Sequence, residues 1–264
     1  MKKIISALLA FCVAMCVFSG CSLDPVSEQI NNAIEKTKAL DEYDVTVSID
    51  CSLSVAGVSM SMPQSLELKV KNNEDGKTAY IAKNTLSVLG ISTVIDVYCD
   101  AEWLYVDAFG MKKKIEIEDE IDSEYDFAGD VEDILQTLPE DIFTDVEFEV
   151  DEDGTKFVEF SVQNDVFHEL FKAIVDDQTE DMSDGTSALD DILITDSKLK
   201  ITVDKGYVTQ YSMSYEMSVS GDDNEYVTAS VLLVLDVNEP GKPVEITAPD
   251  DLDSYKSSIF DIFG

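Results

Sequence analysis

Any nucleophilic or acid–base chemistry in this 264-residue sequence would have to come from five cysteines, one histidine and a large excess of carboxylates. His168 is the single histidine, set among Val166, Phe167, Leu170, Phe171 and Ile174 at helical spacing. A general base needs a partner and a placed substrate. No G-x-S-x-G or comparable signature accompanies it, so His168 reads as a helix-surface residue and no catalytic residue is assigned. With 55 Asp and Glu, carboxylate pairs occur throughout, and none stands out for glycoside or peptide hydrolysis. Asp151-Glu152-Asp153-Gly154 and residues 176–191 are acidic enough to gather Ca²⁺. Neither keeps EF-hand spacing: with Gly185 at the sixth position, Met182 falls at the third. Both read as solvated acidic loops. No CxxC or Cys/His cluster offers a zinc site, and the expectation is no metal and no cofactor.

The charge excludes further classes. The chain carries 18 basic residues, all lysine, and a formal net charge of −37. Such a field repels nucleic acid, whose binding depends on neutralised phosphates, and disfavours lying flat on an anionic membrane. Lys112-Lys113-Lys114 is a small basic island that could approach lipid head groups, although pairing with nearby acids is the better reading. Apolar residues make up 45% of the chain, too many for general disorder.

The elements that would position any site are mostly strands. From Val45 to Val55 apolar and polar residues alternate without a miss, as on a strand with one buried and one wet face. Leu66, Leu68 and Val70 repeat the pattern, as do Ile91 to Cys99, Leu104 with Val106, and Ile115 with Ile117. Asn72 to Gly76 signals a hairpin, and Thr78 to Leu89 a further strand. Later strands are expected at Val146–Val150, Phe157–Val162, Leu199–Val203, Tyr207–Val219 and Tyr226–Val237, with a short edge strand at Val244–Ile246. Ile30, Ala33, Ile34, Thr37 and Leu40 line one face of a helix that Ser27 could cap. Val131 to Leu138 suggests a short helix stopped before Pro139, and Val166 to Ile174 another. The pattern predicts one α+β domain whose one-sided antiparallel sheet of about ten or eleven strands is covered by two or three helices. Cys51 and Cys99 share the apolar parity of their strands; two buried thiols and a bridge between neighbouring strands both fit.

The N-terminus is an address. Lys2 and Lys3 precede an apolar run from Ile4 to Phe18, the layout of a secretory signal too short for a lasting membrane span. Phe18-Ser19-Gly20-Cys21 resembles the lipobox of bacterial lipoproteins, with Phe18 where leucine is commonest. That resemblance implies cleavage after residue 20, a diacylglycerol thioether on Cys21, usually with an added acyl group such as palmitate, and a tether over 21–26. Two or more chains are what stable anchoring needs. The expected location is the outer face of the bacterial cell membrane.

Further residues carry a second likeness. Ala33 and Leu40 sit on a helix ahead of a Tyr-led alternating strand. Tyr98 to Lys114 gives a tyrosine strand, an acidic turn, a Trp/Tyr strand, a Gly turn and lysines. Lys198 to Lys205 and Gly241 to Pro249 form the closing passage. Together these resemble the LolA/LppX-like superfamily of exported lipoproteins over residues 27–255, leaving a tail at 256–264. The resemblance implies a strongly curved, unclosed half-barrel wrapped around helices on its concave face, with a cavity for acyl chains.

The ligand-lining set would be Val47, Ile49, Leu66, Leu68, Ile95, Val97, Leu104 and Val106 from the sheet, with Phe167, Leu170 and Phe171 from a helix. The expectation is a non-enzymatic, membrane-anchored lipoprotein that binds or carries a hydrophobic or lipid-like molecule. The alternative is a structural or interaction lipoprotein with a filled core that meets an envelope protein partner.

Overall fold

The computed structural model describes residues 25–55, 57–72, 78–88, 90–100, 102–117, 143–165, 168, 192–220 and 226–257. The alternating segments form eleven strands: β1 (Glu42–Val55), β2 (Val58–Asn72), β3 (Thr78–Val88), β4 (Ile91–Cys99), β5 (Trp103–Ala108), β6 (Met111–Glu116), β7 (Phe143–Val150), β8 (Lys156–Val162), β9 (Ile192–Asp204), β10 (Tyr207–Ser220) and β11 (Tyr226–Asn238). They make one sheet in the order β6-β5-β4-β3-β2-β1-β11-β10-β9-β8-β7, antiparallel throughout, with β6 and β7 as its two edges. The sheet does not close on itself. The first and last strands lie side by side at its centre, paired from Asp44↔Asn238 to Val55↔Val227.

Two hairpins show why the turns fall where they do. Ala108 pairs with Met111 across Phe109-Gly110, both at positive φ (57° and 76°). Asp204 pairs with Tyr207 across Lys205-Gly206 (51° and 78°). Two left-handed residues in a two-residue loop match the twist of the flanking strands, and glycine takes the second position without steric cost.

Side-chain alternation puts one parity of every strand on a common face. One transverse row runs Leu66, Val47, Leu235, Tyr211, Ile201, Val158 and Phe148 through β2, β1, β11, β10, β9, β8 and β7. Val47, Leu66, Leu235, Ile201 and Val158 are buried, and each such aliphatic contributes about 1.5–3 kcal/mol by leaving water. The opposite parity (Thr46, Ser48, Asp50, Glu67, Lys69) is polar.

One helix lies on the apolar face among the described residues: α1 (Pro25–Lys38), which buries Ile30, Ala33 and Ile34, and packs on β10. Pro25 opens the helix, where a missing N–H costs nothing. Lys36 and Lys38 stand at its negative end, and Lys38 pairs with Glu35 at 3.5 Å. The helices expected over Val131–Leu138 and Val166–Ile174 lie outside the described residues, except that Asn164, Asp165 and His168 have helical backbone.

Several expectations need correction. The helix begins at Pro25, so Ser27 is its third residue and not its cap, and residues 25 and 26 belong to the helix and not to the tether. β9 begins at Ile192, well before Leu199, because a bulge at Asp196 (φ 52°) interrupts the alternation. Val244–Ile246 is not a strand. The chain after β11 crosses the polar face as a strap: the Val244 N–H donates to the Glu42 carboxylate (2.8 Å) and its carbonyl accepts from Lys71 Nζ (3.4 Å). Side chains therefore satisfy the backbone there in place of a ladder. The strap passes through a short 3₁₀ turn (Leu252–Ser254) and ends against the edge strand, where Lys114 N–H donates to the Lys256 carbonyl (2.9 Å) and Lys256 N–H to that of Lys112 (3.2 Å).

Candidate ligand-binding face

The residues expected to line a cavity all fall on the apolar face where they are described. Val47, Leu66 and Leu68 are buried near α1. Ile49 and Val97 are partly buried against the same core, and Ile95, Leu104 and Val106 are half-buried farther along the sheet. The register joins them: Val106 faces Val97, Val97 faces Ala82, Ala82 faces Leu68, and Leu68 faces Val45. Phe167, Leu170, Phe171 and the lipidation candidate Cys21 lie outside the described residues.

Cys51 and Cys99 are free thiols, Cys99 buried and Cys51 half-buried. They stand on β1 and β4 with β2 and β3 between them, so they are not on neighbouring strands and form no bridge. Cys99 Sγ instead points to the Thr78 carbonyl at 3.9 Å.

Among the described residues several polar side chains share the parity of this face, Lys113 opposite Val106 and Lys156 opposite Val203 among them; two places lie nearer the core. Gln64 Nε2 donates to Asn84 Oδ1 at 3.2 Å, so those two amides satisfy each other. The second place is different. The Asp196 bulge turns Ser197 into the interior between Ile194 and Leu199, at 3% exposure. Its backbone N–H donates to Asn164 Oδ1 (3.5 Å), but its hydroxyl is buried without a partner. His168 Nδ1 is likewise buried and unpartnered. Tyr215 faces the bulge from β10, its phenol pushed up to about 12 chiefly by burial. Sequence reasoning put His168 on a helix surface and missed Ser197, because the bulge flips the parity by one residue. The single usable signal was the break in alternation at Asp196.

The reverse face carries a shallow groove of about 520 Å³ beneath the strap, lined by Lys71, Ala79, Tyr98, Asp100 and Val244 to Thr247. Near it two lysines of the basic island are engaged within the protein, while Lys113 alternates to the other face, opposite Val106. Lys112 pairs with Asp107 (3.5 Å) and with Asp251, and Lys114 Nζ sits 5.0 Å above the Trp103 ring. The turn Asp151–Thr155 is saturated by its own hydrogen bonds: Asp153 is drawn down to about 2 by bonds with the Asp151 carboxyl and with Thr155. Among the described residues no three His, Cys, Asp or Glu side chains gather as a metal site, and no helix is long and apolar enough to cross a membrane.

Comparison with known proteins adds the following. A family model described as a family of unknown function, DUF6612, matches residues 25–234. No curated protein matches. Among solved structures, LprF from Mycobacterium bovis is similar at 14% identity and TM-score 0.39, over 87% of this chain and 99% of that one. A DUF1329 family protein from Desulfovibrio piger is similar at 12% identity and TM-score 0.25, over 85% and 96%. A Vibrio parahaemolyticus domain described as a putative outer membrane lipoprotein-sorting protein is similar at 12% and TM-score 0.22, over 79% and 92%.

Proposed function

We propose, for a chain that belongs to the DUF6612 family, that it is a lipid-anchored surface lipoprotein which binds or carries a hydrophobic, lipid-like molecule against the apolar face of its sheet. The observation that carries this reading is the continuity of that face. Its apolar rows cross the strands from β5 to β8, while α1 packs on β10 and leaves Ile95, Leu104 and Val106 half-buried. Apolar burial at about 25 cal/mol per Å² supplies the driving force, and neither nucleophile nor metal is needed. In this reading the sheet curves into a half-barrel with the ligand held against its apolar face. Cys21 bears the acyl anchor, and the short stretch between it and α1 tethers the domain to the outer face of the membrane.

A second reading is favoured by a different observation. Val58, Ile91, Phe109, Met111 and Leu193 are all highly exposed, and the strand directions bring them to one end of the sheet. Exposed apolar fringes mark contact surfaces, so an interaction lipoprotein with a filled core is the alternative. Native mass spectrometry of the exported chain carrying Cys21→Ser separates the two. A co-purifying amphiphile supports the carrier, and bare protein that takes up no added lipid supports the interaction protein.

A further inference from the structure

Turns between strands are ordinarily polar, as at one end of this sheet, where Lys205-Gly206 and Asp151–Gly154 reverse the chain. The other end is different. Ala56-Gly57, Leu89-Gly90 and Phe109-Gly110 stand between the pairs Val55↔Val58, Val88↔Ile91 and Ala108↔Met111. Val58, Ile91 and Phe109 are 72%, 74% and 73% exposed. Phe109 also has φ 57°, a left-handed position that strains a bulky side chain and suits Asn. A residue that fits neither its turn nor its solvent points to a contact. The three turns fall on one oblique line, because their steps are equal. Extending Gln64↔Leu86 sets Val88 level with Met62, four residues past Val58, and Ala108 faces Ile95, four past Ile91.

Charge is missing from the same end. In a chain with 28% charged residues, Cys51 to Leu66 and Asn84 to Ile95 contain none. The absence covers both faces of the strands. Leu53, Met60 and Leu86 hold the apolar parity, and Ser52↔Ser61, Ser54↔Ser59 and Ser87↔Ser92 hold the other, the last pair bonded at 2.7 Å. The first charges, Asp50 on β1 and the pair Lys83↔Asp96, lie five residues back from Val55 and Val88. At about 3.3 Å per residue that is about 17 Å, against a Debye length of roughly 8 Å in physiological salt. At the third turn Asp107 pairs with Lys112 at 3.5 Å. The region stops at β11, whose turn to β10 carries Asp222, Asp223 and Glu225. A protein partner seated on one face accounts for missing charge on that face alone. A medium that surrounds the hairpins end-on accounts for both.

We propose that the β1–β2, β3–β4 and β5–β6 turns dock end-on into the interfacial layer of a lipid bilayer. The apolar turns reach the acyl boundary, the serine-lined strands lie among the head groups, and the charged half of the sheet stays in water. The ladder of each hairpin satisfies its backbone before it arrives. A net charge of −37 opposes a flat approach, but end-on its repulsion is screened. This goes beyond the carrier reading and needs neither a bound ligand nor an acyl anchor.

The test uses the full chain with Cys21→Ser, which has no acyl group, sedimented with vesicles of phosphatidylcholine alone or with added phosphatidylglycerol, at about 0.15 M salt. Both vesicles are expected to bind it to a similar degree. Val58→Asp with Ile91→Asp lowers the partition coefficient at least about tenfold, since burying either side chain is worth that much. Ser59→Asp with Ser92→Asp, on the opposite face, also lowers it. All four positions are exposed, so the fold is retained by circular dichroism. Lys205→Asp makes the same change of net charge at the far end and leaves binding unchanged. No binding to either vesicle overturns the docking and leaves the anchor and carrier readings standing. Binding only to vesicles with phosphatidylglycerol overturns it by assigning the contact to lysines, and equal loss in Lys205→Asp by showing a bulk charge effect. Loss on the apolar face without loss in the serine variant overturns it in favour of a protein partner or a second copy on that face.

Discussion

The Val208 backbone N–H donates to Thr37 Oγ1 at 2.9 Å, and that hydroxyl donates in turn to the Ala33 carbonyl at 2.8 Å. One threonine thus bolts the last turn of α1 to the start of β10, at a point where Val208 is completely buried. Thr37→Val keeps the shape and orphans the N–H. The expected loss is about 1–3 kcal/mol in urea unfolding, and a variant as stable as the parent would show that the helix is seated by its apolar face alone.

The strap should respond to pH through Asp251. Its hydrogen bond with Lys112 holds the carboxyl below its ordinary 3.8, and the same contact holds Lys112 above 10.5. A carboxylate depressed in the folded state adds stability above its unfolded pKa and loses it as pH falls through the folded one. A raised lysine contributes below 10.5 and fades as pH rises beyond. The latch is therefore whole between about pH 4 and pH 10. The amide resonances of Lys114 and Lys256 are expected to move with a midpoint below 3.8, and a midpoint at or above that value would place the latch elsewhere.

Oxidation should not join the two thiols. Strands lie about 4.8 Å apart, so three spacings put Cys51 and Cys99 at least about 14 Å from each other, against about 7 Å for a bridge. They are offset along the strands as well: Cys99 is level with Tyr80, Val70 and Tyr43, eight residues before Cys51. Alkylation and peptide mapping after mild oxidation should return both as separate thiols. A linked peptide pair would refute the register.

If the proposed carrier function holds, loading depends on the flank of the apolar face. Leu104→Trp fills space there and Ile95→Asp places a charge beside the acyl chain. Each is expected to cut lipid uptake by about tenfold or more, on the order of 1.4 kcal/mol, with the fold retained by circular dichroism. Undiminished uptake in a folded variant would move the cavity away from β4 and β5.

Much of this architecture is written locally. Val45 to Val55 and Leu66 to Val70 announce both strand and inward face, because burial on one side demands period two, whereas Tyr226 to Val237, apolar without a break from Val231 to Leu235, announces only a strand. What escaped is non-local or compensated. The pairing of β1 with β11 depends on residues almost two hundred positions apart, and no short-range signal encodes it. Val244 to Ile246 has the composition of a strand, yet the Glu42 carboxylate and Lys71 ammonium meet its backbone first. Ser197 reads as a polar, outward residue until the left-handed Asp196 turns it inward. The inward turn of Ser197 was not legible, since a bulge breaks the very pattern that reveals the sheet.

The central seam between β1 and β11 sets a timetable for assembly. Neither half of the sheet owns a finished middle: the β2–β6 wing ends on an open β1, and the β7–β10 wing on an open β10, until the last strand arrives between them. Contacts of such long sequence separation form slowly. A chain whose last strand is not yet in place would present unpaired edges on β1 and β10 rather than a folded domain. Completion of β11 is the event that joins the wings, so truncations that remove it should abolish the native fold rather than trim an edge.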